Sequence, residues 1–337
     1  MAARPLKSTQ HPHDAEIGAI RKSWRGRMRF VLVYPNRYHV GMSNLGFQSV
    51  YRLLNAYDHV VCERAFLPEP SRKQPPVIKT LESGKRLTDV DVIAFSLSFE
   101  NDYAHILTIL ENIGLPLRAD QRDDRHPLVI AGGVACFLNP EPIAAFFDCF
   151  LIGEAEAIMP RFLEVFAPGN KRRSMLKKLA SEVSGAYVPA FYEVKYHRDG
   201  TIAAFNPREA VPAGVKRAYL KDLADSSTCS AILTPDTAFE RTHLVEVARG
   251  CPHGCTYCCN YVLRRHYRNQ TYVRRRPSED LFDELNWVKS NLPFVEIIDF
   301  QDDAFTAGSE EEIAEFAERY QEQIQLPFTL HISPLTI

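Results

Sequence analysis

Three cysteines carry the first chemical signal. Cys251, Cys255 and Cys258 stand as C-x3-C-x2-C within ARGCPHGCTYCC, so three thiolates on one short loop can converge on one face of an iron–sulfur cluster. A cube of four irons needs four ligands, and three leave one iron open to an exogenous chelator. The same thiols suit zinc, which requires a fourth Cys or His. His253, Cys259 and His266 lie close by in sequence, and Pro252 and Gly254 favour a tight loop with either metal. Cys259, next to a ligand, is expected to point elsewhere and pack. Just after the loop, Arg264, Arg265, Arg268, Arg274, Arg275 and Arg276 are interleaved with Tyr261, Tyr267 and Tyr272. Such a mixture suits nucleic acid or phosphate, and equally a solvated or domain-contact segment.

These residues need elements to position them. Residues 243–248 (HLVEVA) read as a strand leading into the cysteine loop, 278–289 as a helix, 295–300 as a second strand, 310–325 as a helix and 328–332 as a third strand. Reactive residues just beyond the C-terminal ends of strands are the arrangement of a β/α barrel. Upstream, apolar runs at 29–35, 59–67, 90–98, 127–131 and 149–152 alternate with helical spacing at 43–57, 101–113 and 154–166. Strands that are apolar nearly throughout argue for a parallel sheet covered on both faces. Residues 29–167 are thus expected to form a Rossmann-like, doubly wound domain, preceded by an extension over 1–28. Residues 168–240, with a basic helix at 171–181 and a hairpin turning at Asp199-Gly200, read as a connector. Residues 241–337 follow as the barrel-like part.

Length and composition agree with two domains: 337 residues exceed what one core usually holds. Hydrophobic residues at 45% and charged residues at 24% exclude a disordered chain, a collagen-like repeat and a disulfide miniprotein. A formal net charge of −2 gives no global field that would draw nucleic acid or a lipid surface. The eight cysteines fall at 62, 136, 149, 229, 251, 255, 258 and 259, and the clustering of the last four points to metal ligation in a reducing compartment rather than to disulfides. Neither a secretory signal nor a spanning apolar run is evident, so a cytoplasmic protein with no membrane partner is expected.

The C-x3-C-x2-C loop, with the aromatic Tyr257 before its third cysteine, resembles that of the radical S-adenosylmethionine (SAM) superfamily. The setting EVARGCPHGCTYC is similar to members that carry an N-terminal cobalamin-binding-like domain. The resemblance implies a [4Fe-4S] cluster on Cys251, Cys255 and Cys258, SAM chelated to the open iron, and reductive cleavage of SAM to a 5′-deoxyadenosyl radical. It implies that Tyr257 contacts the adenine. It also implies that Asp302-Asp303, in DFQDDAF at the end of the second barrel strand, face the SAM amino group, a carboxylate opposite an ammonium. The competing reading of Asp302-Asp303 is an acidic turn that caps the next helix.

In the N-terminal part, AGGVACFLNPEPIA (131–144) and DCFLIGEAE (148–156) resemble the glycine pair and the strand-end Gly-Glu of the cobalamin-binding-like domain. By that resemblance Gly132, Gly133 and Glu154 are cofactor-binding residues, and cobalamin is a candidate cofactor. The alternative is a domain that keeps the fold without it. The cobalt-ligating motif Asp-x-His-x-x-Gly is not matched, because the chain reads Asn36-Arg37-Tyr38-His39-Val40-Gly41, so His39 is expected to be a loop histidine. The fold class expected is α/β, a Rossmann-like doubly wound parallel sheet followed by a partial radical SAM β/α barrel. Only about three of six β/α units fit after residue 243, and the shortfall argues either for a truncated or split barrel whose other half a second polypeptide supplies, or for a naturally short barrel with an open site. The function expected is SAM cleavage acting on a small-molecule or RNA substrate, with a reducing donor such as flavodoxin or ferredoxin. The alternative function is a non-catalytic cobalamin- or metal-binding module.

Overall fold

The computed structural model describes residues 16–69, 77–226, 228, 230–239, 241–264 and 273–332. Five apolar runs form the parallel strands β1 (Met28–Tyr34), β2 (Val60–Phe66), β3 (Val92–Ser96), β4 (Leu128–Gly132) and β5 (Cys149–Leu151). The short β6 (Ala186–Tyr187) adds antiparallel to β5, and the sheet order is β2-β1-β3-β4-β5-β6. This is a doubly wound order with its topological switch point between β1 and β3, where ligands tend to bind beyond the strand ends. The mixed α/β class read from the sequence is therefore present.

The helices of this part are α1 (Tyr38–Met42), α2 (Leu45–Asn55), α3 (Tyr103–Asn112), α4 (Val134–Leu138), α5 (Ala155–Val165) and α6 (Arg172–Glu182). The sequence suggested one helix from residue 43. It forms as α2, which starts where the Asn44 side chain accepts the Phe47 N–H, and a separate short helix, α1, precedes it. His39 consequently stands in α1 rather than in a loop. The packed core also runs beyond residue 167. Met175, Leu176 and Leu179 of α6, with Ala186 and Tyr187 of β6, are buried in the same cluster as the first five strands. The segment read as a connector thus contributes to the first sheet before reaching the hairpin β7 (Tyr192–Tyr196) and β8 (Ile202–Pro207).

The C-terminal part contains β9 (Thr242–Glu246), β10 (Ala248–Arg249), β11 (Arg274–Arg275), β12 (Ile297–Gln301) and β13 (Phe328–Leu330). A parallel sheet runs β13-β12-β9, while β10 and β11 form a separate antiparallel pair. The helices α7 (Cys259–Arg264), α8 (Ser278–Asn291) and α9 (Glu310–Gln323) alternate with these strands. A capping box at Ser309 and Glu312 fixes the start of α9. Phe282, Leu285, Ile298 and Phe300 centre a second hydrophobic cluster, distinct from the first. No helix among the described residues is long and apolar enough to cross a membrane.

Glycines at the strand ends have unequal reasons to be there. Gly133 has φ +107°, and a Cβ on it would lie 2.3 Å from the Leu97 carbonyl oxygen. Gly153 has φ +145°, with the Ala218 oxygen at 2.1 Å from such a Cβ. The close approach at both is to the protein's own backbone. Gly132 differs, since its nearest neighbour would be the Leu151 oxygen at an ordinary 3.6 Å. Gly133→Ala should therefore cost about 1–3 kcal/mol in urea unfolding, whereas Gly132→Ala should cost much less. Equal losses for the two variants would show that this backbone argument is wrong.

Candidate functional site

The two parallel sheets meet at a cavity of about 690 Å³. Its walls include the ends of β3, β4 and β5 on one side, and the residues following β9, β12 and β13 on the other. Gly132, Gly133, Glu154, Asp302 and Asp303, singled out separately in the sequence, all line this one space. His39 is not among the residues that line it.

The cysteine loop begins two residues after β10. Cys251 is buried, Cys255 and Cys258 are partly exposed, and the Cys258 N–H donates to the Cys255 carbonyl at 3.1 Å, which makes the loop tight. Arg264, in α7, donates from Nη1 to the Pro252 carbonyl at 2.8 Å and ties the loop to the helix that follows it. Burial pushes the Cys251 thiol up, the His253 N–H draws it down, and Asp303, Cys258 and Cys255 push it up again. The three thiols and Asp303 thus share one electrostatic neighbourhood. The set of three soft donors on one loop beside a carboxylate fits an iron–sulfur cluster, although no group of three or more His, Cys, Asp or Glu side chains among the described residues forms a preassembled metal site. The imidazole of His253 has a buried Nε2 with no hydrogen-bond partner among the described residues.

Two neighbours of these cysteines are exposed. Cys259 is exposed at the start of α7 and lines the cavity, so it is not a packing residue. Tyr257 is 92% exposed and is not among the cavity-lining residues, and its nearest influence is the Cys255 thiol. In this structure its ring is placed beside the loop rather than in the cavity.

Asp302 follows directly on β12. Its Oδ1 accepts the Ala304 N–H at 2.8 Å, as an acidic turn would. Its Oδ2 is buried with no hydrogen-bond partner, the closest cation being Arg275 Nη1 at 4.0 Å. Burial raises the Asp302 carboxyl above its usual pKa, while the Ala304 N–H and Arg275 oppose that rise. An unsatisfied acceptor in a cavity wall is costly unless a donor arrives to fill it. The capping and ligand-binding readings are thus divided between the two oxygens of one side chain. Asp303 is exposed at the same mouth.

Glu154 is engaged by the protein itself. Only 7% exposed, it accepts hydrogen bonds from Arg249 Nη1 at 2.9 Å, Arg274 Nη1 at 3.0 Å, Arg274 Nη2 at 2.7 Å and the Leu220 N–H at 3.0 Å. Arg249 also binds Glu156 at 2.7 Å and Glu246 at 2.8 Å, and Arg217 approaches Glu154 at 4.0 Å. Burial alone would raise the Glu154 carboxyl, but its hydrogen bond to Arg274 and the charges of Arg249 and Arg274 hold it below the usual range. Glu154 therefore positions the two sheets rather than offering a free carboxylate to a cofactor. The arginine run is engaged likewise. Arg275 donates to the Phe305 carbonyl, and Arg276 pairs with Glu284 at 2.8 Å and donates to the Glu246 carbonyl. These side chains are held by contacts within the C-terminal part. Arg265, His266, Tyr267, Arg268 and Tyr272 lie outside the described residues. Sequence reasoning assigned no role to Arg249, Glu156 or Glu246. Arg249 was visible as the charged residue between a strand and the first cysteine, but two of its partners, Glu154 and Glu156, lie more than ninety residues away in sequence.

Residues 46–189 match the family model of radical SAM proteins, N-terminal region, which supports placing the chain in the radical SAM superfamily. The match lies wholly upstream of the cysteine loop, so it is independent of that motif. Over 228 residues the chain is 25% identical to an uncharacterized protein of Methanocaldococcus jannaschii, an alignment covering 67% of this chain and 40% of that protein. The chain spans about two fifths of the length of that curated relative. No solved structure matches.

Replacing Glu154 by Ala leaves Arg249 and Arg274 without their shared buried carboxylate, and should cost about 3–5 kcal/mol in urea unfolding at neutral pH. The sign with pH follows from the lowered carboxyl. Its contribution is present in full above the ordinary carboxylate range and fades as pH falls through the folded-state value. Glu154→Gln should therefore flatten the acid limb of the stability curve. An unchanged midpoint at neutral pH in Glu154→Ala would contradict the positioning role.

Proposed function

We propose that this chain is a radical SAM iron–sulfur protein in which Cys251, Cys255 and Cys258 hold a [4Fe-4S] cluster and Asp302 receives the amino group of SAM. The observation that carries the reading is a juxtaposition. Gly250, Cys259 and Asn260, which flank the three-thiol loop, line one cavity with the half-satisfied carboxylate that follows β12, and the Asp303 charge reaches the Cys251 thiol. The superfamily match over residues 46–189 supports it from a separate part of the chain.

When bound, the cluster supplies the electron that cleaves SAM to methionine and a 5′-deoxyadenosyl radical. The protein's own part is positional. Arg249 anchors β10, and with it the start of the loop, to Glu154. The tight Cys255–Cys258 turn and the tie from Arg264 to Pro252 then limit how far the thiols can separate. Asp302 offers Oδ2 to an ammonium, the charge-assisted bond that this buried oxygen lacks. The electron would come from a low-potential protein donor such as flavodoxin or ferredoxin. Gly133 and Glu154, on which a cobalamin site would rest, are both used by the fold, and the proposal does not include cobalamin.

Anaerobic reconstitution should give about four irons and four sulfides per chain, as the cluster formula requires. Any one of Cys251→Ala, Cys255→Ala or Cys258→Ala should abolish the cluster, while Cys259→Ala retains it. Asp302→Asn should keep the iron and weaken SAM binding by roughly ten- to hundredfold, the worth of about 1.5–3 kcal/mol for a hydrogen bond to a charged group. 5′-Deoxyadenosine formation should fall with it. A chain that binds zinc stoichiometrically and no iron would overturn the reading.

A further inference from the structure

The cavity is not uniform along its length. At the mouth stand Asp302, Asp303, His331 and the Glu154–Arg249–Arg274 cluster. The inner end lies over the middle of the first sheet, where Leu32, Ala94 and Ile130 occupy one register row across β1, β3 and β4. Two residues further along β3 and β4, the register pair is Ser96 and Gly132, which also line the cavity. The same face thus changes from hydrocarbon to small and polar on the way out. Leu53 of α2 and Ile158 and Met159 of α5 close the inner end, and the side chains that line it there are apolar. Leu32, Ile130, Ile158 and Met159 are themselves buried while forming cavity wall.

An apolar lobe behind a polar mouth selects for shape and polarity together. A ligand entering it gains by removing hydrocarbon from water, at roughly 25 cal/mol per Å² of apolar surface, and the total volume lies within the ~300–1,000 Å³ typical of small-molecule sites. A polar or charged group driven into the lobe would find no partner there and would lose its hydration. A corrin ring, fringed with amides on all sides, is a poor match for such a wall.

We infer that the inner lobe binds the apolar chain of an amphipathic substrate, with the chain held between α2 and α5 and the polar end directed toward Asp302 and the cysteine loop. The inference deepens the reading of the site as a radical SAM centre and relies on it for what happens at the mouth. The lobe itself belongs to the first sheet and needs no cluster to form.

The test uses the 337-residue chain as isolated, with N-phenyl-1-naphthylamine as a neutral fluorescent probe and 1-dodecanol as competitor. Saturable probe binding, displaced by dodecanol, is expected. Ala94→Phe, which fills the lobe from its floor, should weaken probe binding at least tenfold, and Leu53→Trp should do so from the wall. Iron content after reconstitution should be unchanged in both variants, which separates this inference from the cluster assignment. The exposed residues Tyr196 and Ile202 of the hairpin offer a competing apolar surface. Probe binding abolished by Tyr196→Ser with Ile202→Ser and indifferent to Ala94→Phe would overturn the proposal. So would an absence of probe binding, or displacement of the probe by hydroxocobalamin in a manner lost with Ala94→Phe. If Ala94→Phe fails to fold, Leu53→Trp alone decides, since Leu53 is only partly buried.

Discussion

A carboxylate held at 7% exposure between two guanidinium groups is the constraint on which the arrangement of this molecule depends. Glu154 sits where β5 turns into α5, and its partners come from β10 and β11. Around it, Glu156 and Glu246 add two negative charges, and Arg217, Arg249 and Arg274 supply three positive ones, so the group is neutral as a whole. Neutrality matters because an uncompensated buried ion costs several kcal/mol, far more than a surface pair returns. The first cysteine lies two residues from Arg249. The position of the thiol loop relative to the first sheet is therefore set by electrostatics, not by the loop.

The choice of a polar joint has a geometric consequence. Each sheet closes its own hydrophobic cluster, one around Val33, Phe95 and Phe150 and the other around Phe282 and Phe300. Had apolar faces met between the sheets, interior packing would have driven them together at crystal-like density and left little void. Ion pairs instead fix a separation, because their energy falls steeply once geometry is lost. A cavity of this size between two independently closed cores is the outcome.

Much of this was legible in the sequence, and the limits have physical causes. Parallel strands buried on both faces show as continuous apolar runs, which is why β1 to β5 and the strands flanking the thiol loop could be located closely. Side-chain capping is a local signal too: Asn44 starts α2 close to where the helical spacing begins, whereas α1, with five residues, is too short to show a period. The cysteines stand out as candidate ligands from spacing alone. The role of Glu154 does not, because a glutamate after a strand-end glycine looks the same whether it meets a cofactor or an arginine a hundred residues away. The arginine run illustrates the converse. Its composition suits phosphate, but Arg274 is buried against Glu154, which only the tertiary fold brings near, and Arg276 is paired with Glu284 of α8. The row Leu32, Ala94 and Ile130 is likewise invisible in one dimension, since its members belong to three strands.

The polarity gradient in the cavity follows from strand direction. In a parallel sheet every strand delivers its C-terminal end to the same edge, so loops, glycines and charged residues collect there while mid-strand positions stay apolar. Here two such edges face each other. Loops after β3, β4 and β5 meet loops after β9, β12 and β13, and the polar groups of both sheets gather in the shared mouth. Depth along the first sheet then sets polarity directly, with Gly132 and Ser96 at the edge and Ile130 and Ala94 one side-chain repeat inward. The acids and the residues that flank the thiol loop stand at the mouth. Selection among ligands can act at the other end, where no reactive group is within reach and only fit decides.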